Sequence, residues 1–162
     1  MSKILEFVWL QKAYISLFAL LTMKLTKEDK ELIEKAKKIT LKSNQIDLYD
    51  TADVGSALIT SRGNIYTGVC IGHFCGIGSC AEYQAIGNMI SNGEKDIRTI
   101  VAICYDKKKK KVMGVIPPCG KCREMIKQTS KKNWNTYVII SNSKKVKLKE
   151  LLPYAWDGSL DK

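Results

Sequence analysis

The sequence predicts an α/β fold in which a mixed β-sheet is covered by helices. Three observations support this class: apolar runs of strand length, longer segments with helical periodicity, and the alternation of the two after an opening hairpin. A chain of 162 residues is long enough for one domain with a sizeable core. The composition agrees, because 45% hydrophobic and 27% charged residues are ordinary values for a globular protein.

The first predicted elements are a helix and a β-hairpin. The helix runs from about residue 27 to residue 41, and Thr26 is a suitable N-cap for it. Three apolar residues share one face of this helix: Leu32, Ala36 and Ile39. The segments VGSALIT, from Val54, and IYTGVCI, from Ile65, are predicted strands, and the turn SRGN between them indicates a hairpin.

Helices and strands alternate in the rest of the chain. A glycine-containing loop leads to a helix from about Cys80 to Ser91, which the pair Asn92 and Gly93 ends. TIVAICY is an apolar, central strand, VMGVIPP a short strand closed by two prolines, and TYVIIS another buried strand. A further helix begins near Cys119, and KLKELLP forms a last short helix. The sequence thus predicts a mixed sheet of five strands.

The net charge of +11 allows a polyanionic partner, but its distribution argues against one. The lysines are scattered, apart from one run at residues 107–111 in a predicted hairpin tip. That run is not interleaved with aromatic residues, as a surface for single-stranded nucleic acid usually is. We interpret the charge as a solvated lysine-rich surface and expect no nucleic acid partner.

The cysteines indicate a reducing compartment. There are six, unevenly spaced: Cys70, Cys75, Cys80, Cys104, Cys119 and Cys122. A chain with a full hydrophobic core does not need disulfides for stability, so this pattern favours metal binding or catalysis in the cytoplasm.

Residues 1–22 form an apolar extension ahead of the predicted domain, which spans residues 23–162. The apolar run from Ala13 to Met23 has the length of a signal-peptide core and is too short for a stable membrane span. It is interpreted as an extra helix on the domain or a membrane surface, as a targeting segment, or as an over-long gene model that truly starts at Met23. We favour the last, because MKLTKEDKELIEKA has the cap and acidic first turns of a natural beginning.

Three cysteines are candidate metal ligands. Cys119 and Cys122 stand two residues apart in PPCGKC at a predicted helix start, where two thiolates can hold one metal ion, although redox pairs share this spacing. Cys80 also begins a predicted helix, and free N–H groups at a helix N-terminus stabilise a thiolate. Three cysteine ligands leave a fourth position of zinc for water, which is typical of a catalytic site.

Two charged residues complete this predicted site. Glu82, two residues after Cys80, can take a proton from the water and deliver it to a substrate nitrogen without binding the metal. Arg123 can offset the net negative charge of three thiolates on Zn²⁺ by donating a hydrogen bond to a thiolate sulfur. The order C-x-E and then P-C-x-x-C is a known signature of zinc nucleobase deaminases.

On these motifs the sequence resembles the cytidine deaminase family. CAE at residues 80–82 and PCGKCRE at residues 118–124 match its two motifs in order, and the similarity covers most of residues 23–158. SNGEKDIRTIVAI and PPCGKCREMI are most similar to the blasticidin-S deaminase branch. The resemblance implies a three-layer α-β-α fold and one Zn²⁺ per subunit, with Cys80, Cys119 and Cys122 as ligands and Glu82 as the proton shuttle. It also implies attack of water on C4 of a cytosine ring, release of ammonia, and a homotetramer whose active sites are completed across subunits.

The expected substrate contacts are less regular. The family's Asn-x-Glu, which holds the ribose, is absent from VCIGHFCGIG, and Cys70 and His73 lie about where it would fall. His73 and Phe74 stand in a glycine-rich loop that should line the pocket. By resemblance, Trp156 matches the C-terminal aromatic residue that stacks on the base in a neighbouring subunit, and Tyr154 is the reserve candidate.

The sequence therefore predicts a hydrolytic deaminase of a free cytosine nucleoside, cytidine or deoxycytidine, acting in pyrimidine salvage. The alternative substrate is a cytosine nucleoside antibiotic of the blasticidin-S type or another nucleoside analogue. An RNA-directed adenosine deaminase is less expected, because such enzymes usually have His where this chain has Cys80. A structural zinc module would not need Glu82, and a thiol oxidoreductase using Cys119 and Cys122 would not need Cys80.

Overall fold

A mixed β-sheet with helices on both faces forms the domain, as the sequence predicts. The computed structural model describes residues 23–46, 51–72 and 78–156, so the extension at residues 1–22 lies outside the described part. The helices are α1 (Lys27–Ser43), α2 (Ala81–Ser91), α3 (Gly120–Thr129) and α4 (Leu148–Leu151), with a 3₁₀ helix at Lys131–Asn135. The strands are β1 (Met23–Lys24), β2 (Val54–Thr60), β3 (Ile65–Val69), β4 (Ile71–Gly72), β5 (Gly78–Ser79), β6 (Ile97–Asp106), β7 (Lys111–Ile116), β8 (Tyr137–Ile139) and β9 (Lys144–Lys147).

Strand β6 is the centre of the main sheet, as its apolar sequence predicts. The strand order is β1-β9-β8-β6-β2-β3, and β7 pairs with the second half of β6 beside β8. Among the strand pairs of the described residues, β6–β8 is the only parallel one. The five predicted strands are all present, but the main sheet contains seven in the described residues, so the predicted count is wrong. The two additional strands, β1 and β9, are short and rich in lysine, and they lack the apolar pattern that identifies a strand.

The predicted hairpin is also modified at its end. The β2–β3 pair is antiparallel, as expected, but the predicted strand from Ile65 stops at Val69. After Cys70 the chain forms β4, which pairs with β5 in a separate two-stranded sheet. This small ribbon leads directly to the start of α2.

Alternate residues of the central strands face two apolar clusters, and this alternation produces the three layers. On one face, Leu58 and Ile100 pack with residues of α2, α3 and α4. On the other face, Ala57 and Val101 pack with Leu32 and other residues of α1. None of the helices in the described part is long and apolar enough to cross a membrane.

A fully buried asparagine, Asn133, joins the 3₁₀ helix to its surroundings. Its Oδ1 accepts the N–H of Ile97 at 2.7 Å, and its Nδ2 donates to the carbonyls of Lys95 and Ile126 at 2.9 and 3.0 Å. Asn133→Ala would leave three backbone groups unpaired, so we expect it to lower the free energy of unfolding by about 3–5 kcal/mol. Chemical denaturation measures this loss, and Asn135→Ala, an exposed site in the same helix, is the matched control. Equal effects of the two variants would contradict the bonding role.

An ion pair joins the start of α1 to strand β9. Asp29 forms a capping box with Thr26, and Lys145 Nζ lies 2.5 Å from Asp29 Oδ2 in buried surroundings. Burial raises the pKa of the Asp29 carboxyl, but the hydrogen bonds from Lys145 and Thr26 outweigh it and hold that pKa below its ordinary value.

The low pKa of Asp29 predicts a loss of stability in acid. A carboxyl with a depressed pKa in the folded state stabilises the fold above its unfolded pKa, about 3.9, and this contribution disappears as the pH falls below it. At pH 7 we expect Asp29→Asn to lower the free energy of unfolding by about 2–3 kcal/mol, which is typical of a lost hydrogen bond between charged groups. The free energies of unfolding of Asp29→Asn and the wild type should become more similar below about pH 4, as denaturation curves at a series of pH values would show. A pH-independent difference would rule out the ionised pair as its source.

Candidate active site

Two helix N-termini place two of the three predicted cysteine ligands. Cys80 is the N-cap of α2 and Cys119 the N-cap of α3, both with extended backbone. Neither side chain makes a capping hydrogen bond, so both sulfurs are available to bind a metal ion. Cys122 lies in the first turn of α3 and is fully buried.

The three sulfurs form one cluster, as the sequence predicts. The Sγ atoms of Cys80 and Cys119 are 3.9 Å apart, those of Cys119 and Cys122 are 3.4 Å apart, and all three lie within 4.8 Å of one another. Zinc–sulfur bonds of about 2.3 Å in a tetrahedron separate two sulfurs by about 3.8 Å. The residues present therefore fit zinc, which prefers thiolate ligands in this geometry.

The thiols also respond to one another. Burial raises the pKa of the Cys80 and Cys122 thiols, and the Glu82 carboxylate raises both further. Burial opposes ionisation of Cys119 too, but hydrogen bonds from Cys122 and Cys80 outweigh it and lower its pKa. The pKa is thus lowered at Cys119 and raised at Cys80, although both residues begin a helix. Three such close acids ionise together only around a cation, so metal binding here releases protons.

Glu82 lies in the first turn of α2, beside the sulfur cluster. Glu82 is only 5% exposed, and it lines a small pocket together with Ala102 and Pro118. Burial raises the pKa of its carboxyl above the ordinary value, and a hydrogen bond with Cys122 opposes this effect. A raised carboxyl pKa brings the group closer to neutral pH, where it can both accept and donate a proton.

Arg123 donates hydrogen bonds to two backbone carbonyls, whereas the sequence predicted a hydrogen bond to a thiolate sulfur. Its Nε donates to the carbonyl of Pro118 at 2.9 Å, and its Nη1 donates to the carbonyl of Leu151 at 2.9 Å. Successive residues on a helix point about 100° apart, so the side chain next to Cys122 leaves the cluster. In this structure Arg123 ties the start of α3 to the end of α4.

Sequence reasoning missed a lysine at the site. Lys121, between the two cysteines of α3, holds its ammonium 4.8 Å from the ring centroid of Tyr83 in α2. Tyr83 is close enough to the cluster for the three cysteines to raise its pKa, after burial, which is the larger cause. A cation over an aromatic ring is stabilising, so this contact joins the first turns of the two ligand-bearing helices. Nothing in the CGKC motif distinguishes Lys121 from a surface residue.

A glycine of β3 sets the position of α2. A Cβ atom at Gly68 would lie 2.4 Å from the backbone nitrogen of Ala85 and 2.7 Å from the carbonyl oxygen of Ala81. These distances are shorter than any van der Waals contact, so only glycine allows the strand to approach this closely. The start of α2, with its N-cap Cys80 and with Glu82 in its first turn, therefore depends on Gly68.

We expect Gly68→Ala to displace α2, to lower the stability by about 1–3 kcal/mol and to weaken zinc binding. Gly87→Ala is a matched control within α2, because a Cβ there meets nothing within 4 Å. That change should stabilise the helix by about 0.5–1 kcal/mol. Melting curves and zinc titrations of both variants test the pair, and unchanged zinc affinity in Gly68→Ala would contradict the positioning role.

The predicted substrate contacts and the remaining cysteines lie apart from the sulfur cluster or outside the described residues. Cys70 bonds to β2, where its sulfur accepts the N–H of Val54 at 3.3 Å, and the metal-binding group contains neither Cys70 nor Cys104. Trp156 is 59% exposed and Tyr154 is fully exposed. Two loop candidates, His73 and Phe74, lie outside the described residues, as does Cys75.

Three sulfurs that fit zinc, at two helix starts and beside a buried carboxylate, have the composition of a catalytic metal site of a hydrolase, and comparison with known proteins gives its family. Residues 26–138 match the sequence model of the cytidine and deoxycytidylate deaminase zinc-binding region. The chain belongs to this family of zinc-dependent hydrolases that act on C–N bonds.

Individual relatives agree with this assignment. The chain is 38% identical to the blasticidin-S deaminase of Bacillus cereus over 141 residues, which are 82% of this chain and 94% of that protein. It is 28% identical to a cytidine deaminase of Halalkalibacterium halodurans over 111 residues, 67% of this chain and 80% of the other.

Solved structures show the same fold. The cytidine deaminase of Burkholderia pseudomallei superposes with a TM-score of 0.63, at 23% identity, over 82% of this chain and all of the other. That of Bacillus anthracis gives 0.59, also at 23% identity, over 78% and 88% of the two chains. The three-layer fold that the resemblance implied is therefore confirmed.

Proposed function

We propose that the protein hydrolyses the 4-amino group of a free cytosine nucleoside and releases ammonia. The observation that carries this proposal is the cluster of three sulfurs beside the buried Glu82. Cys80, Cys119 and Cys122 would bind one zinc ion per subunit and leave one position open. Zinc bound in this way supplies a Lewis acid that lowers the pKa of a water molecule.

Glu82 moves the protons in this proposal. Its carboxylate takes a proton from the water whose oxygen attacks C4, and the carboxylic acid that results donates that proton to the ring nitrogen N3. The same carboxylate then carries the second proton of the attacking oxygen to the amino group, the bond between C4 and the amino nitrogen breaks, ammonia leaves, and the ring becomes a uracil. Burial raises the pKa of Glu82, which favours the protonated form that this second step needs.

The substrate has two candidates. Cytidine and deoxycytidine suit the family, and one relative is named a cytidine deaminase. A cytosine nucleoside antibiotic such as blasticidin S is favoured by the 38% identity with a blasticidin-S deaminase over 94% of that protein. The same choice is supported by the missing ribose-binding Asn-x-Glu, in whose place the chain has residues such as Cys70 and His73.

We further propose that residues 23–162 form the catalytic domain and act in the cytoplasm as a homotetramer. Trp156 and Tyr154 are both exposed, so they are accessible to a neighbouring subunit, where Trp156 would stack on the base and Tyr154 is the reserve. His73 and Phe74 are proposed to contact the substrate from the pocket loop. Pyrimidine salvage is the corresponding role if cytidine or deoxycytidine is the substrate.

One screen tests the function. The full chain is purified, its zinc is counted, and ammonia release is measured with cytidine, deoxycytidine and blasticidin S, with adenosine as the negative control. Release from a cytosine compound and none from adenosine is the expected result. If the zinc-loaded protein acts on none of the three cytosine compounds, the substrate assignment is wrong.

A further inference from the structure

The end of α4 and the residues after it are tied to α3 by two cations. Arg123 donates from Nη1 to the carbonyl of Leu151 at 2.9 Å, and Lys127 donates from Nζ to the carbonyl of Trp156. The two cations are four positions apart in α3, so their side chains leave the helix on the same side. Residues 151–156 therefore form a C-terminal arm that is held at both ends.

Both cations are partly buried and directed to the arm. Arg123 Nε also donates to the carbonyl of Pro118 at 2.9 Å, so the first tie has a fixed position relative to the start of α3. The Lys127 side chain is only 20% exposed. The carboxylate of Glu124 lies 3.8 Å from its ammonium, beyond hydrogen-bond distance, and accepts a hydrogen bond from Gln128.

Between its two ties the arm contains a turn with a strained backbone. The turn is at residues 153–154, and Tyr154 has a φ of 59°, in the left-handed region. After a proline, this position of a turn usually has glycine or asparagine. A bulky residue with positive φ is strained, and such strain persists only where the surrounding structure maintains it. The ring of Tyr154 is fully exposed, so its packing does not compensate, and the two ties supply the constraint.

The arm presents aromatic surface to the outside of the chain. Besides the fully exposed Tyr154, Trp156 is 59% exposed. Exposed rings add little to the stability of the fold, but they can stack on a flat ring such as a nucleobase. A ligand that stacks on the arm binds more tightly when the arm is already ordered, because ordering it during binding would cost free energy.

We propose that Lys127, together with Arg123, is a positioning residue for substrate binding. It holds the C-terminal arm in the conformation in which the aromatic rings bind the base. This inference rests on the proposed function, which supplies that base. Lys127 acts only through the arm, so loss of its ammonium lowers the fraction of molecules that are ready to bind. Such a loss raises KM and leaves kcat to the metal site and Glu82.

The test compares Lys127→Met and Lys127→Arg with the wild type. Methionine keeps an unbranched apolar stem without a donor, whereas arginine keeps the charge and the donors. We expect K127M to raise KM for the cytosine substrate about tenfold at unchanged kcat, because a hydrogen bond from a charged donor shifts an equilibrium by about that factor. K127R should restore most of the loss. The matched control is Lys131→Met, which removes an exposed lysine just beyond α3.

A combined variant shows whether Lys127 acts through the rings. Y154A/W156A removes both rings and keeps the backbone carbonyl that Lys127 holds, so it should raise KM at least as much as K127M does. Adding K127M to Y154A/W156A should then have no further effect, because both changes remove the same interaction. A further tenfold rise in this background would overturn the inference.

A second measurement needs no substrate. Chymotrypsin cleaves after large apolar and aromatic residues, and cleavage of a folded protein requires local opening. We expect the bond after Tyr154 to be cut about tenfold faster in K127M than in K131M, because cleavage follows the population of the open form. Mass spectrometry identifies the bond, and equal zinc contents and melting temperatures confirm that the variants are intact.

Two further results would overturn the inference. Equal cleavage rates of K127M and K131M would show that Lys127 does not hold the arm. Faster cleavage of K127M with an unchanged KM would show that the arm has no part in substrate binding. Absence of deamination by the wild type is distinguishable from both: it contradicts the proposed function, and this inference with it, while the cleavage rates still report whether Lys127 holds the arm.

Discussion

Glu82→Gln is expected to lower turnover by about 10²–10⁴-fold while the protein keeps its zinc. The amide is nearly isosteric with the carboxyl group, but it cannot take a proton from water or return it to nitrogen. Glu82 is not expected to bind the metal, so the three cysteine ligands remain in place. Zinc content and steady-state ammonia release, measured on the same preparation, separate these two effects.

The control for this experiment is Glu124→Gln. Glu124 lies in α3, where its Oε1 accepts a hydrogen bond from Gln128 at 2.8 Å, and it should be replaceable without loss of turnover. A Glu82→Gln enzyme that keeps full turnover would exclude Glu82 as the proton shuttle. A variant that loses zinc would instead show that Glu82 acts as a ligand.

Cys122→Ser is expected to weaken zinc binding more than about 100-fold, beyond the 10–100-fold effects typical of residues that only support a metal ligand. A serine hydroxyl stays protonated at neutral pH and is a poor ligand for zinc. Cys122 is fully buried, so no solvent-exposed thiol can easily take its place. Competition with a chromophoric chelator measures the affinity, which should also fall as the pH falls, because protons compete for the remaining thiolates.

Cys70→Ser and Cys104→Ser are the matched controls, since both residues are half-buried cysteines outside the cluster. Both variants should bind zinc as tightly as the wild type. If either one loses zinc, the assignment of the three ligands is wrong. If Cys122→Ser keeps its zinc, the site needs only two of the three cysteines.

Two short segments bring the cysteines of the site together, and both have the same local structure. Cys80 and Cys119 each end an extended segment and begin a helix, so each sulfur stands beside unpaired backbone N–H groups. The ligands approach because β6 and the strands around it hold α2 and α3 on the same face of the sheet. Glu82, the proposed proton shuttle, is then two residues from Cys80, so the start of α2 fixes both side chains together.

The sequence by itself predicted the fold class and the three cysteine sulfurs that the structure brings into one cluster beside Glu82. Each is encoded locally: strands and helices by apolar periodicity, and ligands by residue type at a helix start. The same local signals could not fix the direction of Arg123, whose hydrogen bonds go to the carbonyls of Pro118 and Leu151. Whether Arg123 donates to a sulfur or to a carbonyl oxygen depends on the position of α4. The residues next to Arg123 in the sequence do not specify that position.

Only the tertiary structure decided the edge of the sheet and the fit of α2. Strands β1 and β9 pair residues 23–24 with residues 144–145 through backbone hydrogen bonds, which any side chain allows, so their sequences carry no strand pattern. Gly68 matters because the backbone of α2 passes within 3 Å of where its Cβ would be, a contact between distant parts of the chain. Residue type at a helix start can be recognised from neighbouring residues in the sequence. The close contact between Gly68 and α2 and the pairing of β1 with β9 join distant parts of the chain, so they form only when the chain has packed.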